Sequence, residues 1–189
     1  MNKELPSGLY LYKKQSKEHI VLKEMLQFVK TVSPSSTLSF SYVEANDSLH
    51  PHLSLWENLQ LVMAGVSSWK ELYQGLIPEQ QALLNLLKEP YKKVKDAEVW
   101  EKFIVSFFKA ILGPSKNILI DMNEELISPF LIEGLKKMVL NSMSTKTIYL
   151  ASANMPLWLD CAHSIVKRIE YKFEIEPLDP ELIRKHCLL

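Results

Sequence analysis

Apolar and polar positions along the chain change period several times, and each change marks an expected element. Gly8-Leu-Tyr-Leu-Tyr12 is a short β-prone run. From about Ser16 the pattern turns helical, with Ile20, Leu22, Met25, Leu26 and Val29 falling on one face. Ser33-Pro-Ser-Ser36 breaks that helix, and Leu38-Ser-Phe-Ser-Tyr-Val43 alternates as a half-buried strand does. The stretch from Leu53 to Phe108 predicts helices at 53–65, 67–74, 78–88 and 96–112, punctuated by Pro78 and Pro90.

Asn117-Ile-Leu-Ile-Asp121 is a continuous apolar run ending in an acid, the pattern of a strand buried on both faces of a parallel sheet. A helix near 128–143, the strand 146–152, a helix near 156–163, β-prone runs over 164–176 and a last helix from Asp179 complete the series. Strands alternating with helices predict one α/β domain over 1–189, with a mainly parallel sheet flanked by helices and a helical insert over about 45–102.

Composition narrows the function. Lys+Arg 22 balance Asp+Glu 22, so no global attraction for nucleic acid or an acidic bilayer is expected. The N-terminal text lacks the apolar core of a signal peptide, and no apolar run reaches the ~18 residues of a membrane helix. Cys161 and Cys187 form neither a CxxC pair nor a disulfide framework and read as unremarkable thiols of a reducing compartment. The expectation is a soluble cytoplasmic chain, peripheral to a membrane at most.

Four segments resemble one family in order and spacing. Tyr42 to Leu59, YVEANDSLHPHLSLWENL, is similar to the Q-loop region of ATP-binding-cassette (ABC) ATPases, commonly YVPQDPSLFPHLTVRENL. Phe103 to Asp121 resembles the helix and Walker B strand, and the text after Asp121 keeps the family's register to Pro129. Thr147 to Met155 falls where the family has TILLSTHDL, and Cys161 to Val166 where it has ALADRIV. The resemblance covers most of positions 8–170 and implies a P-loop NTPase-like fold of the ABC type.

Carried over position by position, the same resemblance implies a degenerate site. The phosphate loop, GxxGxGK followed by Ser or Thr, falls on Tyr12 to His19, where no glycine is present and Glu18 takes the lysine's place. Without glycine the loop cannot readily form an anion nest. Lys13, Lys14 and Lys17 read as solvated surface lysines, with substitute phosphate contacts as the rival. Asp121 matches the metal-holding Walker B aspartate, but the catalytic glutamate's place holds Met122, whose thioether cannot accept a proton. Asp121 itself reads as a turn cap at the strand end.

The signature LSGGQ falls near Ala97 to Glu101, the switch histidine on Ala153, the D-loop aspartate on Ser128 and the Q-loop glutamine on Glu44. The matching text starts at the phosphate-loop strand, so the adenine-stacking aromatic has no counterpart. The resemblance therefore implies no catalysis, no nucleotide cofactor and no metal.

His50-Pro-His52 is read as a surface loop rather than a metal site, and Ser152, Asp160 and His163 lack the GxSxG elbow of a hydrolase triad. The four tryptophans are expected in helix packing, with one or two as partner anchors. In the family, the Q-loop and helical insert form the groove that receives a transporter's membrane subunit. By that resemblance Glu44, His50, His52 and Trp56 are the interface candidates.

The leading expectation is a nucleotide-independent protein-binding or regulatory subunit of a membrane transport assembly. Its partner would be a transporter membrane subunit, an active ABC ATPase or a second copy. The rivals are an ABC-like ATPase using the lysines near 13–17, Glu44 and Asp121, and a soluble scaffold outside transport.

Overall fold

The computed structural model describes residues 5–14, 21–32, 39–44, 49–123, 125, 127–169 and 172–178. Their strands are β1 (Gly8–Lys13), β2 (Phe40–Val43), β3 (Asn117–Asp121), β4 (Thr147–Ser152), β5 (Ser164–Ile169) and β6 (Lys172–Pro177). The helices are α1 (Leu22–Val32), α2 (Leu55–Gln60), α3 (Trp69–Gly75), α4 (Pro78–Leu84), α5 (Val99–Leu112) and α6 (Pro129–Ser142). One sheet takes the order β2-β3-β4-β1-β5-β6, parallel throughout except for the β5–β6 hairpin.

The sheet is apolar on both faces because helices cover both. Tyr10, Tyr12, Leu119 and Tyr149 point to one side, where Val21, Met25, Phe28 and Val29 of the α1 segment close over them. Leu9, Leu11, Ile118, Ile120, Ile148 and Leu150 point to the other, against Phe103, Phe107 and Phe108 of α5 and Leu135, Met138 and Val139 of α6. Ile118, Leu119 and Ile120 lose all contact with solvent. Each such side chain contributes about 1.5–3 kcal/mol of burial, which is why an unbroken apolar run makes the central strand β3.

The helical insert is present but more finely divided than its periodicity predicts. The expected helix 53–65 ends at Gln60, where the chain tightens into i→i−3 bonds, Val62 N–H to the Leu59 carbonyl (3.1 Å) and Met63 N–H to the Gln60 carbonyl (3.2 Å), ahead of Gly65 at φ 87°. The helix expected over 78–88 stops at Leu84, and 96–112 becomes a 3-10 turn at Val94–Asp96 followed by α5, whose Glu98 marks the start. The apolar residues Leu55, Leu59, Leu72, Leu83 and Val94 join the same core as α5 and α6.

The helix expected near 156–163 is a single 3-10 turn at Met155–Leu157, continued by a Cys161 N–H to Trp158 carbonyl bond of the same short span. The β-prone run 164–176 folds as the antiparallel pair β5–β6, with Ile165 opposite Glu176 and Ile169 opposite Lys172. The helix expected from Asp179 lies outside the described residues.

α4 and α6 pack so closely that a Cβ built on Gly134 would stand 2.7 Å from Leu83 Cδ2 and 3.0 Å from its Cγ. Leu83 is buried, so the isobutyl group has nowhere to retreat. Gly134→Val is expected to destabilise the fold by about 1–3 kcal/mol through overpacking. Urea unfolding checks this, and adding Leu83→Ala should recover part of the loss.

Candidate functional site

Ligands of open α/β sheets gather at the carboxyl ends of the strands, and here those ends are β1, β3 and β4. β4 lies between the other two, with Lys13 in register with Ser152 and Asp121 with Ala151. Beyond the strands the Lys14 N–H donates to the Ser152 carbonyl (3.0 Å) and the Met122 N–H to the Ala151 carbonyl (2.9 Å). These two bonds set the Lys14 and Asp121 side chains on opposite flanks of the end of β4.

The side chains close that gap. Lys14 Nζ donates to Asp121 Oδ1 at 2.5 Å and to the Met122 carbonyl at 3.4 Å, with side-chain exposures of only 4% for Lys14 and 10% for Asp121. On the neighbouring strand the Tyr42 hydroxyl lies 2.7 Å from Glu44 Oε2 and 3.3 Å from Asp121 Oδ2. Burial, with the Glu44 and Asp121 carboxylates beside it, pushes the Tyr42 phenol far up, so it stays protonated and acts as a donor. Strand alternation puts Tyr10, Tyr12 and Lys14, Leu119 and Asp121, and Tyr42 and Glu44 all on the α1 face.

Two expectations change here. Lys14 is not a solvated surface lysine: it is buried and paired. Asp121 does not serve as a turn cap but as the anion of that pair. A salt bridge out of water holds only if both ions are well matched, and here the residual lone pairs meet a phenol and the ammonium meets a carbonyl. A divalent cation at Asp121 would need open oxygen ligands. One carboxylate oxygen faces an ammonium, the other faces a hydroxyl, and the adjacent Met122 side chain is buried. This donor set does not fit a metal ion, since a positive charge already stands at the carboxylate. Lys17, Glu18 and the rest of the phosphate-loop text at 15–20 lie outside the described residues.

Other aligned positions have local duties. Ser128, in the D-loop aspartate's place, caps α6 by accepting the Leu131 N–H at 3.4 Å. Ala153 lines the rims of two clefts. The signature position, Ala97 to Glu101, forms the start of α5, where buried Glu101 accepts its own Glu98 N–H at 2.8 Å and binds Lys92 at 2.9 Å.

The interface candidates separate. His50 and His52 are exposed on a turn that buried Asn58 holds from beneath. The His50 N–H donates to Asn58 Oδ1 (2.7 Å), and Asn58 Nδ2 donates to the His50 carbonyl (3.1 Å) and the Ser54 carbonyl (3.0 Å). Asn58 was not singled out by sequence, although its place in the ENL text was the available signal. Ser54 and Glu57 form a reciprocal capping box, 3.1 and 2.6 Å, that starts α2.

Trp56 is not on a docking surface. It is 5% exposed and packs edge-to-face on Trp69 with ring centroids 5.8 Å apart. The helical period turns it inward, because α2 buries Leu55, Trp56, Asn58 and Leu59 and leaves only a narrow outer face.

The hydrolase reading finds no assembled triad. Buried Ser152 accepts the Asn154 N–H at 3.0 Å, Asp160 pairs with Lys136 at 3.0 Å, and His163 Nδ1 lies 3.5 Å from the Leu9 N–H. No group of three His, Cys, Asp or Glu set to hold a metal occurs among the described residues, and none of their helices is long and apolar enough to cross a membrane.

No family model matches the chain, and no curated protein matches it either. Solved structures do. The chain is similar to an ATP-binding subunit of an ABC transporter at 15% identity and TM-score 0.63, over 85% of this chain and 74% of that one. It is also similar to the archaeal ribosome recycling factor aABCE1, solved with ribosomal stalk protein aP1, at 11% identity and TM-score 0.69 over 95% of this chain. An RNase-L inhibitor matches at 11% identity and TM-score 0.69 over 97% of this chain. The chain spans 36% and 37% of the length of these last two.

Two measurements check the site. Lys14→Met leaves a buried carboxylate uncompensated and is expected to cost about 3–5 kcal/mol. The double variant Lys14→Met/Asp121→Leu should lose less than the sum of its singles in a denaturation cycle. Separately, burial and the neighbouring Asp160 carboxylate push the Cys161 thiol up to about 12. In a Cys187→Ser chain, Cys161 should ignore a disulfide reagent at mildly alkaline pH until guanidinium unfolds the protein. At the level the structural likeness reaches, the chain has the P-loop NTPase-like α/β fold of ABC ATPase domains.

Proposed function

We propose that this chain is a catalytically inert ABC-type module that works by binding another protein, as a regulatory or structural subunit of a membrane transport assembly. The observation that carries the reading is the Lys14 ammonium 2.5 Å from Asp121, a tethered cation at the carboxylate that the family gives to a metal ion. Met122 beside it adds no proton acceptor, and the sequence from 9 to 64 offers no glycine for a phosphate nest. The exposed turn at His50 and His52, pinned by Asn58, offers a rigid surface to a partner, and Leu61 (57% exposed) and Tyr91 (66% exposed) add apolar area to the insert. Likeness to the transporter subunit supports placement in transport. Likeness to the recycling factor at the higher TM-score favours a second reading, a soluble binding module outside transport.

The test is titration calorimetry and thermal shift with ATP and Mg²⁺, since a ligand that binds only the native state raises its stability. The expected result is no heat and no shift at millimolar ATP, and no phosphate release. A shift abolished by Asp121→Ala would overturn the reading. Recovery of the tagged chain with a membrane subunit, lost on His50→Ala/His52→Ala, supports the transport form, and recovery only with soluble proteins supports the second.

A further inference from the structure

A cavity of about 800 Å³ opens around the ends of β1 and β5, within the range of small-molecule sites. Its floor is apolar, made by Met155 and Leu159 after β4, Ile165 of β5 and Leu178. Lys13 and Lys167 stand on its sheet side. Tyr12 is in register with Val166, so one step further Lys13 and Lys167 lie side by side on adjacent parallel strands. Alternation sends both to the face of Leu11 and Ile165, opposite the face of Lys14 and Asp121.

Like charges at neighbouring positions on one face are destabilising unless an anion lies between them. Lys167 meets one, Glu176 on β6, in an exposed pair that water weakens. Lys13 is exposed and meets no carboxylate among the described residues. Of the four cationic side chains that line the cavity, Lys14, Lys167 and Arg168 already face Asp121, Glu176 and Glu24, which leaves Lys13 to take a counterion, while Glu176, itself in the lining, repels a second negative charge.

We propose that this cavity binds a small amphipathic monoanion, a carboxylate attached to an apolar body, with the body on Met155, Leu159, Ile165 and Leu178 and the carboxylate at Lys13 and Lys167. Lys14 borders the cavity as well as forming the pair with Asp121. The proposal does not rest on the inert reading, and a failure of ATP to bind leaves this test undecided until the acid itself is titrated.

The probes are decanoate and cholate, one flexible and one rigid, each titrated into the full chain below its micellar range beside its neutral amide. Saturable binding of at least one acid with a raised Tm is expected, and its amide should bind at least tenfold more weakly. Lys13→Gln and Ile169→Asp, both at exposed positions, should each weaken the acid by tenfold or more while leaving the unliganded Tm within a few degrees. Absence of binding by both acids would overturn the proposal, as would equal binding of acid and amide or an unchanged affinity in Lys13→Gln. Displacement of the acid by ATP would assign the cavity to nucleotide and overturn it too. Flotation with phosphatidylglycerol vesicles separates the free acid from a bilayer: the chain should stay behind, and Lys13-dependent flotation would place a lipid surface there instead.

Discussion

A fully buried ammonium is costly without an anion, and among the described residues that demand falls at the end of β4, where Lys14 reaches Asp121. The two residues lie 107 positions apart in the chain, so the pair forms only when β1, β4 and β3 are in register. A single-residue slip of β1 would turn Lys14 to the opposite face and bring Lys13 into its place. The pair thus reads out the order of the central sheet, and Tyr42 extends the same check to the edge strand β2 through its contact with Asp121. The cost of desolvating two charges is offset by their attraction and by the hydrogen bonds to the Met122 carbonyl and the Tyr42 hydroxyl.

That arrangement also alters what the ends of the strands can do. Where a site is open, charge develops or arrives and the protein answers it. Here a cation of the chain itself, the Lys14 ammonium, stands at the Asp121 carboxylate. Asp121 contributes to holding three strands together, and Tyr42, protonated by its surroundings, contributes a hydroxyl in place of a ligand's.

Much of the architecture was legible because strands and long helices announce themselves by period. The run Asn117 to Asp121 is a strand as its pattern predicts, and β2, α1, α5 and α6 lie within the stretches their patterns mark, although α1 starts at Leu22 and α5 at Val99, later than predicted. What the pattern hid were the events that depend on neighbours. The early stop of α2 goes with three-residue bonds at Val62 and Met63, and the short turn at Met155–Leu157 with bonding of the same kind. The site was read as a set of departures, and of its positions Asp121 and Met122 stand together at the end of β3. Lys14 was not told apart: three lysines within five residues look alike, and only the face on which a strand presents each tells the buried one from the exposed one. For Trp56 the expectation of helix packing holds and its carry-over to the interface does not, since a helical tryptophan can anchor a partner or a core and only its contact with Trp69 tells which. The retained text around it has its own explanation in the cap at Ser54 and Glu57 and the brace at Asn58, which the turn requires whatever binds to it.

The sheet ends on one side in β6, whose residues alternate Lys172, Glu174 and Glu176 before Pro177. A strand so charged, closed by a residue with no N–H to donate, refuses further strands. On the other side β2 is only four residues long, too short to seed a ladder of any strength. Among the described residues both margins of the sheet thus discourage the addition of strands. Backbone pairing at either margin is thereby disfavoured, and contacts through side chains, whose identity can be selected, are favoured over contacts through backbone, which any extended chain could match.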